Sequence, residues 1–159
     1  MRIDIIAVGK VKEKFYRDAI DEFSKRLSKY CKLQVIEVSD EKTPDGAGDA
    51  LVEQIKAKEA ERILKNIKED SFVFTLEIAG KKFDSEGFAA KISNLGILGK
   101  SHLQFVIGGS LGLHSSVSAR SDQKISFSDM TFPHQLMRVI LLEQIYRGFR
   151  ITAGEPYHK

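Results

Sequence analysis

"QFVIGGSLGLHSSV" (residues 104–117) runs from apolar residues straight into three glycines, Gly108, Gly109 and Gly112. A short β-branched run that ends in glycine reads as a buried strand meeting a turn. Bare backbone there admits a close neighbour. That neighbour is a phosphate, a dinucleotide, another part of the same chain or some other small molecule. A P-loop requires Lys and then Ser/Thr after its last glycine, and here Leu113 and His114 stand in that place. The dinucleotide fingerprint requires G-x-G-x-x-G after the first strand, and this run has other spacing and lies late in the chain. A tight turn whose glycines supply positive φ stays open beside a ligand site.

Working outward, strand-like and helix-like segments alternate. "RIDIIAVG" (2–9) reads as a first strand, and Phe15, Ala19, Ile20, Phe23 and Leu27 recur at helical spacing. "LQVIEV" (33–38) reads as a second strand, followed by a loop over 39–49 with a proline and two glycines. A helix is expected over about 50–67, then a third strand over 71–80 and a helix that Ser85 caps. "HLQFVIGG" is the fourth strand, and "KISFSDMTF" (124–132) is a fifth, shorter one. A last helix carries "PHQLMRVILLEQIYRGF", with Pro133 in its first turn. This order predicts an α/β fold, a mostly parallel sheet with helices on both faces. Such sheets bind ligands beyond the carboxyl ends of their strands, where the glycine run lies.

The last helix is apolar almost all round, and a helix without a clear solvent face is buried on more than one side. In a chain of 159 residues the second side is readily covered by another copy, so a homodimer is expected. Polar substitution at Ile140 or Ile145 is expected to yield monomers or unfolded chains. Glu143, Arg147 and Arg150 share one face, at i, i+4 and i+7. They read either as a surface ion pair or as functional charges.

Composition sets limits. The hydrophobic content is 42%, the charged content 30% and the net charge +3. These values are ordinary for a globular protein and permit a nucleic-acid partner without requiring one. A lone cysteine, Cys31, excludes an internal disulfide and fits a reducing compartment. No window reaches the roughly 20 apolar residues of a membrane span. A cytoplasmic protein is expected, with no membrane association. His102, His114 and His134 lack metal-ligand spacing, so no metal is expected.

"RIDIIAVGK" (2–10), "FVIGGSLG" (105–112), "FPHQLMRVILLEQIYRGFRI" (132–151) and the terminal "PYHK" (156–159) occur together in one chain. In these it closely resembles the RlmH-type ribosomal large-subunit pseudouridine methyltransferases of the SPOUT superfamily, over its whole length. The resemblance implies one domain over 1–159 with a C-terminal trefoil (α/β) knot, which general topology rules would not suggest. It implies S-adenosyl-L-methionine as cofactor and a homodimer with sites at the subunit interface. It further implies methylation of N3 of a pseudouridine in large-subunit ribosomal RNA on the assembled ribosome. Carried over residue by residue, the cofactor pocket comprises Leu76, Gly108, Phe127, Ser128, Asp129, Met130, Thr131 and Phe132. The catalytic candidates are Glu143 as proton acceptor, Arg147 as orienter, and Tyr157 and His158 from a tail that folds over its own or the partner's site. Lys159, Arg147 and Arg150 are the candidate phosphate contacts, with Lys10, Lys12 and Lys14 weaker ones. A methyltransferase acting on another RNA such as transfer RNA, or a non-catalytic ribosome-binding module, is the alternative.

Overall fold

The computed structural model describes residues 1–159. Ten elements follow in order: β1 (Arg2–Val8), α1 (Lys14–Leu27), β2 (Lys32–Val38), α2 (Asp49–Leu64), β3 (Phe72–Lys82), α3 (Ser85–Ile97), β4 (His102–Ile107), α4 (Ser115–Arg120), β5 (Gln123–Ser126) and α5 (His134–Thr152). The strands form one sheet in the order β2-β1-β4-β3-β5, and every pairing is parallel.

Alternation along β1 explains the two faces. Ile3, Ile5 and Ala7 join a core with Leu27 of α1, Phe88 and Ile92 of α3, and Leu141, Leu142 and Ile145 of α5. Ile6 and Val8 point the other way, against Ala60 and Ile63 of α2 and Val117 of α4. Helices therefore cover both faces, as parallel strands require. The Phe74 and Phe105 rings stack at 4.6 Å and join β3 to β4 under α3. No helix is long and apolar enough to cross a membrane.

Several boundaries differ from the sequence reading. α2 stops at Leu64 rather than 67. Asp84, not Ser85, caps α3, accepting from the Gly87 amide at 2.6 Å. Pro133 is the N-cap of α5 and not its first helical residue. α4 is an additional single turn and a half, capped by the imidazole of His114, in a stretch read only as loop. β5 ends at Ser126, not at 132, because β5 is an edge strand paired with β3 alone and the chain then leaves the sheet.

β3 also runs on to Lys82, and its pairing is broken. Leu76 and Lys81 both face Ile125, so residues 77–80 bulge out of the ladder. Gly80 makes the return: a methyl group there would lie 2.6 Å from the Ile125 carbonyl carbon and 2.7 Å from its nitrogen. Only a residue without a side chain brings the backbones that close.

The path into α5 fixes the position of the site. Arg138, 1% exposed, donates from Nη2 to the carbonyls of Val8 at 3.0 Å and Gly9 at 2.7 Å, and from Nη1 to Glu37 at 2.6 Å. The start of α5 is thereby tied to the carboxyl end of β1, whereas β5 lies at the far edge of the sheet. Residues 127–133 must therefore cross the ends of β3 and β4, a path of three inter-strand spacings.

Candidate active site

The carboxyl ends of β3, β4 and β5 enclose a cavity of about 330 Å³. Three segments wall it: the β3 bulge from Leu76, the turn after β4 from Gly108, and the crossing segment after β5. Ligands bind beyond the carboxyl ends of the strands in parallel sheets of this kind, and the cavity lies there.

The glycine turn identifies one close neighbour of the bare backbone. A side chain at Gly108 would meet Leu113 at 3.0 Å and the Gly112 backbone at 3.1 Å, so the close neighbour at that position is the same chain. Gly112 holds φ at +82°, and its amide donates to Gly109 at 3.1 Å, closing the turn. The tight turn and the cavity wall are thus one structure, since Gly108, Gly109 and Gly112 all line the hollow.

Seven of the eight expected pocket residues line this cavity: Leu76, Gly108, Phe127, Ser128, Met130, Thr131 and Phe132. Asp129 does not. Its side chain is 81% exposed and turns outward to pair with Lys82 at 2.7 Å, whereas its neighbours on both sides in the crossing segment line the cavity. The lining also includes residues that the sequence reading did not place in the pocket, among them Glu77 and Ile78 in the bulge, and His134 and Met137 at the start of α5. The signal available for Glu77 was an acid interrupting the apolar run "FVFTLEIAG". His134 is driven below its ordinary pKa by burial, with the Arg138 charge adding to the effect, so it is a neutral imidazole at pH 7.

A nucleoside-sized ligand fits these residues: Leu76, Ile107 and Phe132 offer apolar walls, and open main chain follows β4. No lysine or arginine lines the cavity, which disfavours phosphate-bearing nucleotides. S-adenosyl-L-methionine, a nucleoside without phosphate and with a cationic sulfur, agrees with that donor set.

The four catalytic candidates converge on one cluster. Arg147 donates from Nε and Nη2 to Glu143 Oε1 at 3.0 and 2.6 Å, and the Tyr157 hydroxyl donates to the same oxygen at 3.0 Å. Gln144 donates to Glu143 Oε2 at 2.7 Å. The Arg147 guanidinium lies 4.7 Å from the Tyr157 ring centre, a cation–π arrangement. Arg147 Nη1 also donates to His158 Nδ1 at 3.1 Å, which leaves the His158 proton on Nε2, facing Glu86 at 3.9 Å. Burial and the Glu143 carboxylate raise the Tyr157 pKa and keep the phenol protonated.

The tail is ordered on its own chain. Glu155 pairs with Arg150, accepts from the Tyr30 hydroxyl at 2.8 Å and lies 3.7 Å from Lys29. The hydrogen bond from Tyr30 and then the Arg150 charge hold its carboxyl below the usual range. Arg150 also donates to the Pro156 carbonyl at 3.2 Å, so its charge is engaged within the chain rather than free for phosphate.

Cluster and cavity do not meet. None of Glu143, Arg147, Tyr157 or His158 lines the 330 Å³ cavity. His158 instead borders a second hollow of about 690 Å³, which shares the Phe127 and Phe132 walls with the first. Along α5, Glu143 and Arg147 lie about 9 and about 15 Å beyond Met137. Apolar surface remains exposed between and around them: Ile78 is 53% and Met130 72% exposed at the rim of the cavity, and Ile140 is half-buried. Ile145 is fully buried in the core against α1 and α3, so its substitution reports on folding and not on a subunit interface.

Residues 1–158 match the family model described as predicted SPOUT methyltransferase. A relative from Bifidobacterium adolescentis named ribosomal RNA large subunit methyltransferase H is 64% identical over 159 residues, covering all of both chains. Proteins of the same name from Bifidobacterium animalis and Clostridium beijerinckii are 62% and 58% identical, again over the full length of both chains. A solved structure titled a probable methylase family protein from Haemophilus influenzae shares the fold at a TM-score of 0.56 and 13% identity, covering 99% of this chain and 70% of that one. The chain belongs to the SPOUT methyltransferase family, within the group of ribosomal RNA large subunit methyltransferase H proteins.

Proposed function

We propose that the protein methylates N3 of a pseudouridine in large-subunit ribosomal RNA, on the assembled ribosome in the cytoplasm, with S-adenosyl-L-methionine bound in the cavity between Leu76, Gly108 and Phe132. The full-length identity to proteins named for large-subunit ribosomal RNA methylation carries this reading. In it, residues 1–159 form one domain. The crossing segment at 127–133 threads a loop of the chain to make the trefoil knot, in keeping with an α5 that starts far from β5.

The protein works as a homodimer in this proposal. One chain keeps its charged cluster away from its own cavity, so the partner's tail and α5 supply that cluster to each cavity. The half-exposed apolar positions of α5 and the exposed Ile78 and Met130 are the surfaces that a second copy would cover.

The bound cofactor supplies an activated methyl group. The chain contributes position and charge. Leu76, Gly108 and residues 127–132 hold the donor, and orientation of this kind is worth effective molarities of about 10⁵ M or more. An imide nitrogen attacks only after its proton leaves. Both oxygens of Glu143 already accept hydrogen bonds, so Glu143 holds Arg147 and Tyr157 in place rather than taking that proton. Arg147 favours the base anion, and the proton passes to solvent. Tyr157 and His158 offer ring faces to an unstacked base.

Ribosomes from a strain lacking the modification, incubated with protein and cofactor, test this by mass spectrometry of digested RNA. One methyl on a single pseudouridine is expected. Methylation of free transfer RNA without methylation of ribosomes would overturn the substrate assignment, and the absence of any transfer would favour a binding module.

A further inference from the structure

Glu77 is an acidic residue of the cavity wall that takes no part in the Glu143–Arg147–Tyr157 cluster. Both of its oxygens are held: Oε2 accepts from Thr75 Oγ1 at 2.6 Å and Oε1 from Ser118 Oγ at 2.8 Å. Thr75 is itself fully buried and anchored to Ser121 at 2.8 Å, so α4 and β3 together fix the orientation of the acid. Each oxygen keeps a further lone pair. The β3 bulge places residue 77 at the cavity wall rather than in the ladder.

Charge at the cavity is one-sided. Glu77 is its only acidic residue, and His134 is the only other titratable group lining it. His134 is neutral near pH 7 and does not offset the carboxylate. A single negative charge at the wall of a partly enclosed hollow acts on a ligand seated there over several ångströms.

We propose that Glu77 determines specificity by favouring the cationic methyl donor over its neutral demethylated product. This rests on the reading of the cavity as the cofactor site. S-adenosylmethionine carries a positive sulfur and S-adenosylhomocysteine a neutral thioether, while the two share every other group. A carboxylate that reads the sulfonium separates them; one that holds the shared adenosine does not. The same charge disfavours any phosphate-bearing nucleoside.

Calorimetry at low salt tests this with S-adenosylmethionine, S-adenosylhomocysteine and sinefungin, whose protonated amine replaces the sulfonium. Glu77→Gln keeps the hydrogen-bonding shape and removes the charge. It should weaken S-adenosylmethionine and sinefungin at least about fivefold and S-adenosylhomocysteine less than about twofold, while Glu77→Asp keeps the wild-type preference. Should Glu77→Gln fold poorly by thermal melting, Glu77→Met provides the uncharged side chain of similar length. Equal weakening of all three ligands, or an unmoved ratio, would overturn the inference and leave the cofactor site standing. Failure of the unaltered protein to bind any of the three would overturn the cofactor reading and this inference together.

Discussion

Gly80→Ala is the smallest change that attacks both the fold and the site. The added methyl carbon would lie 2.6, 2.7 and 2.8 Å from backbone atoms of Ile125 and Lys124, where ordinary contact begins near 3.4 Å. Backbone atoms do not rotate aside, so β3 and β5 must separate by about 0.8 Å. A ladder bond of about 2.9 Å stretched by that amount passes beyond useful range. The pairs Lys81–Ile125 and Lys82–Ser126 are the ones affected. Two lost bonds at about 1 kcal/mol each, with strain of similar size, give a destabilisation of about 2–4 kcal/mol. For a chain of this length that lowers Tm by about 4–16 °C. The cavity also widens, because Leu76, Ile78, Ile125 and Phe127 all belong to its wall, so cofactor affinity falls with stability. Urea unfolding and calorimetric titration measure the two effects. Gly48→Ser serves as the control, because an added carbon there meets nothing within 4 Å. Its stability should stay within about 0.5 kcal/mol of wild type, as for most surface substitutions. A Gly80→Ala protein with unchanged stability and affinity would refute the claim that the bulge requires backbone contact.

Glu143→Gln should leave cofactor binding intact while lowering methyl transfer to ribosomes at least about tenfold, because the negative charge that holds the Arg147 guanidinium in place is lost; parallel calorimetry and methylation assays separate the two. Cys31, buried and pushed up to about 11, should resist alkylation at pH 8 in the native protein and react readily in denaturant, as a thiol trap would read directly. His134 has a folded pKa below its ordinary 6.5, so its contribution to stability is complete above pH 6.5 and is lost as pH falls through the folded value; Tm against pH should show this acid limb, and His134→Gln should flatten it. Tyr157 shifts the other way: its contribution is full below pH 10 and is lost as pH rises through the raised value, and Tyr157→Phe should remove that alkaline limb from the same measurement.

The architecture was legible because period-2 and period-3.6 patterns alternate cleanly and parallel sheets bury both faces of their strands. Boundaries failed where tertiary context decides. Residues 127–132 carry strand-like side chains, but no neighbouring strand exists for them, so they become the wall of a cavity. α4 escaped notice because "SSVSAR" has one large apolar residue, Val117, and its helix depends on the His114 cap and on packing against α2. Gly80 looked like the end of a strand, whereas it lets a bulged strand return to its partner. The apolar character of α5 was read correctly, but sequence alone could not assign Ile145 to the core and Ile140 to the surface. The expected cofactor residues do not follow from spacing and come from the resemblance, whereas Glu143 and Arg147 stand out by their i, i+4 spacing in an apolar helix; the structure gathers seven of the former into one cavity and joins Tyr157 and His158 to the latter pair. Asp129 fell outside because its carboxylate turns to solvent and pairs with Lys82.

A crystal structure grown with S-adenosyl-L-methionine tests the central claim most directly. Donor density is expected between Leu76, Gly108 and Phe132, with Arg147 and Tyr157 of a second copy facing its methyl group. A donor bound elsewhere on the chain, with this hollow filled only by water, would contradict it.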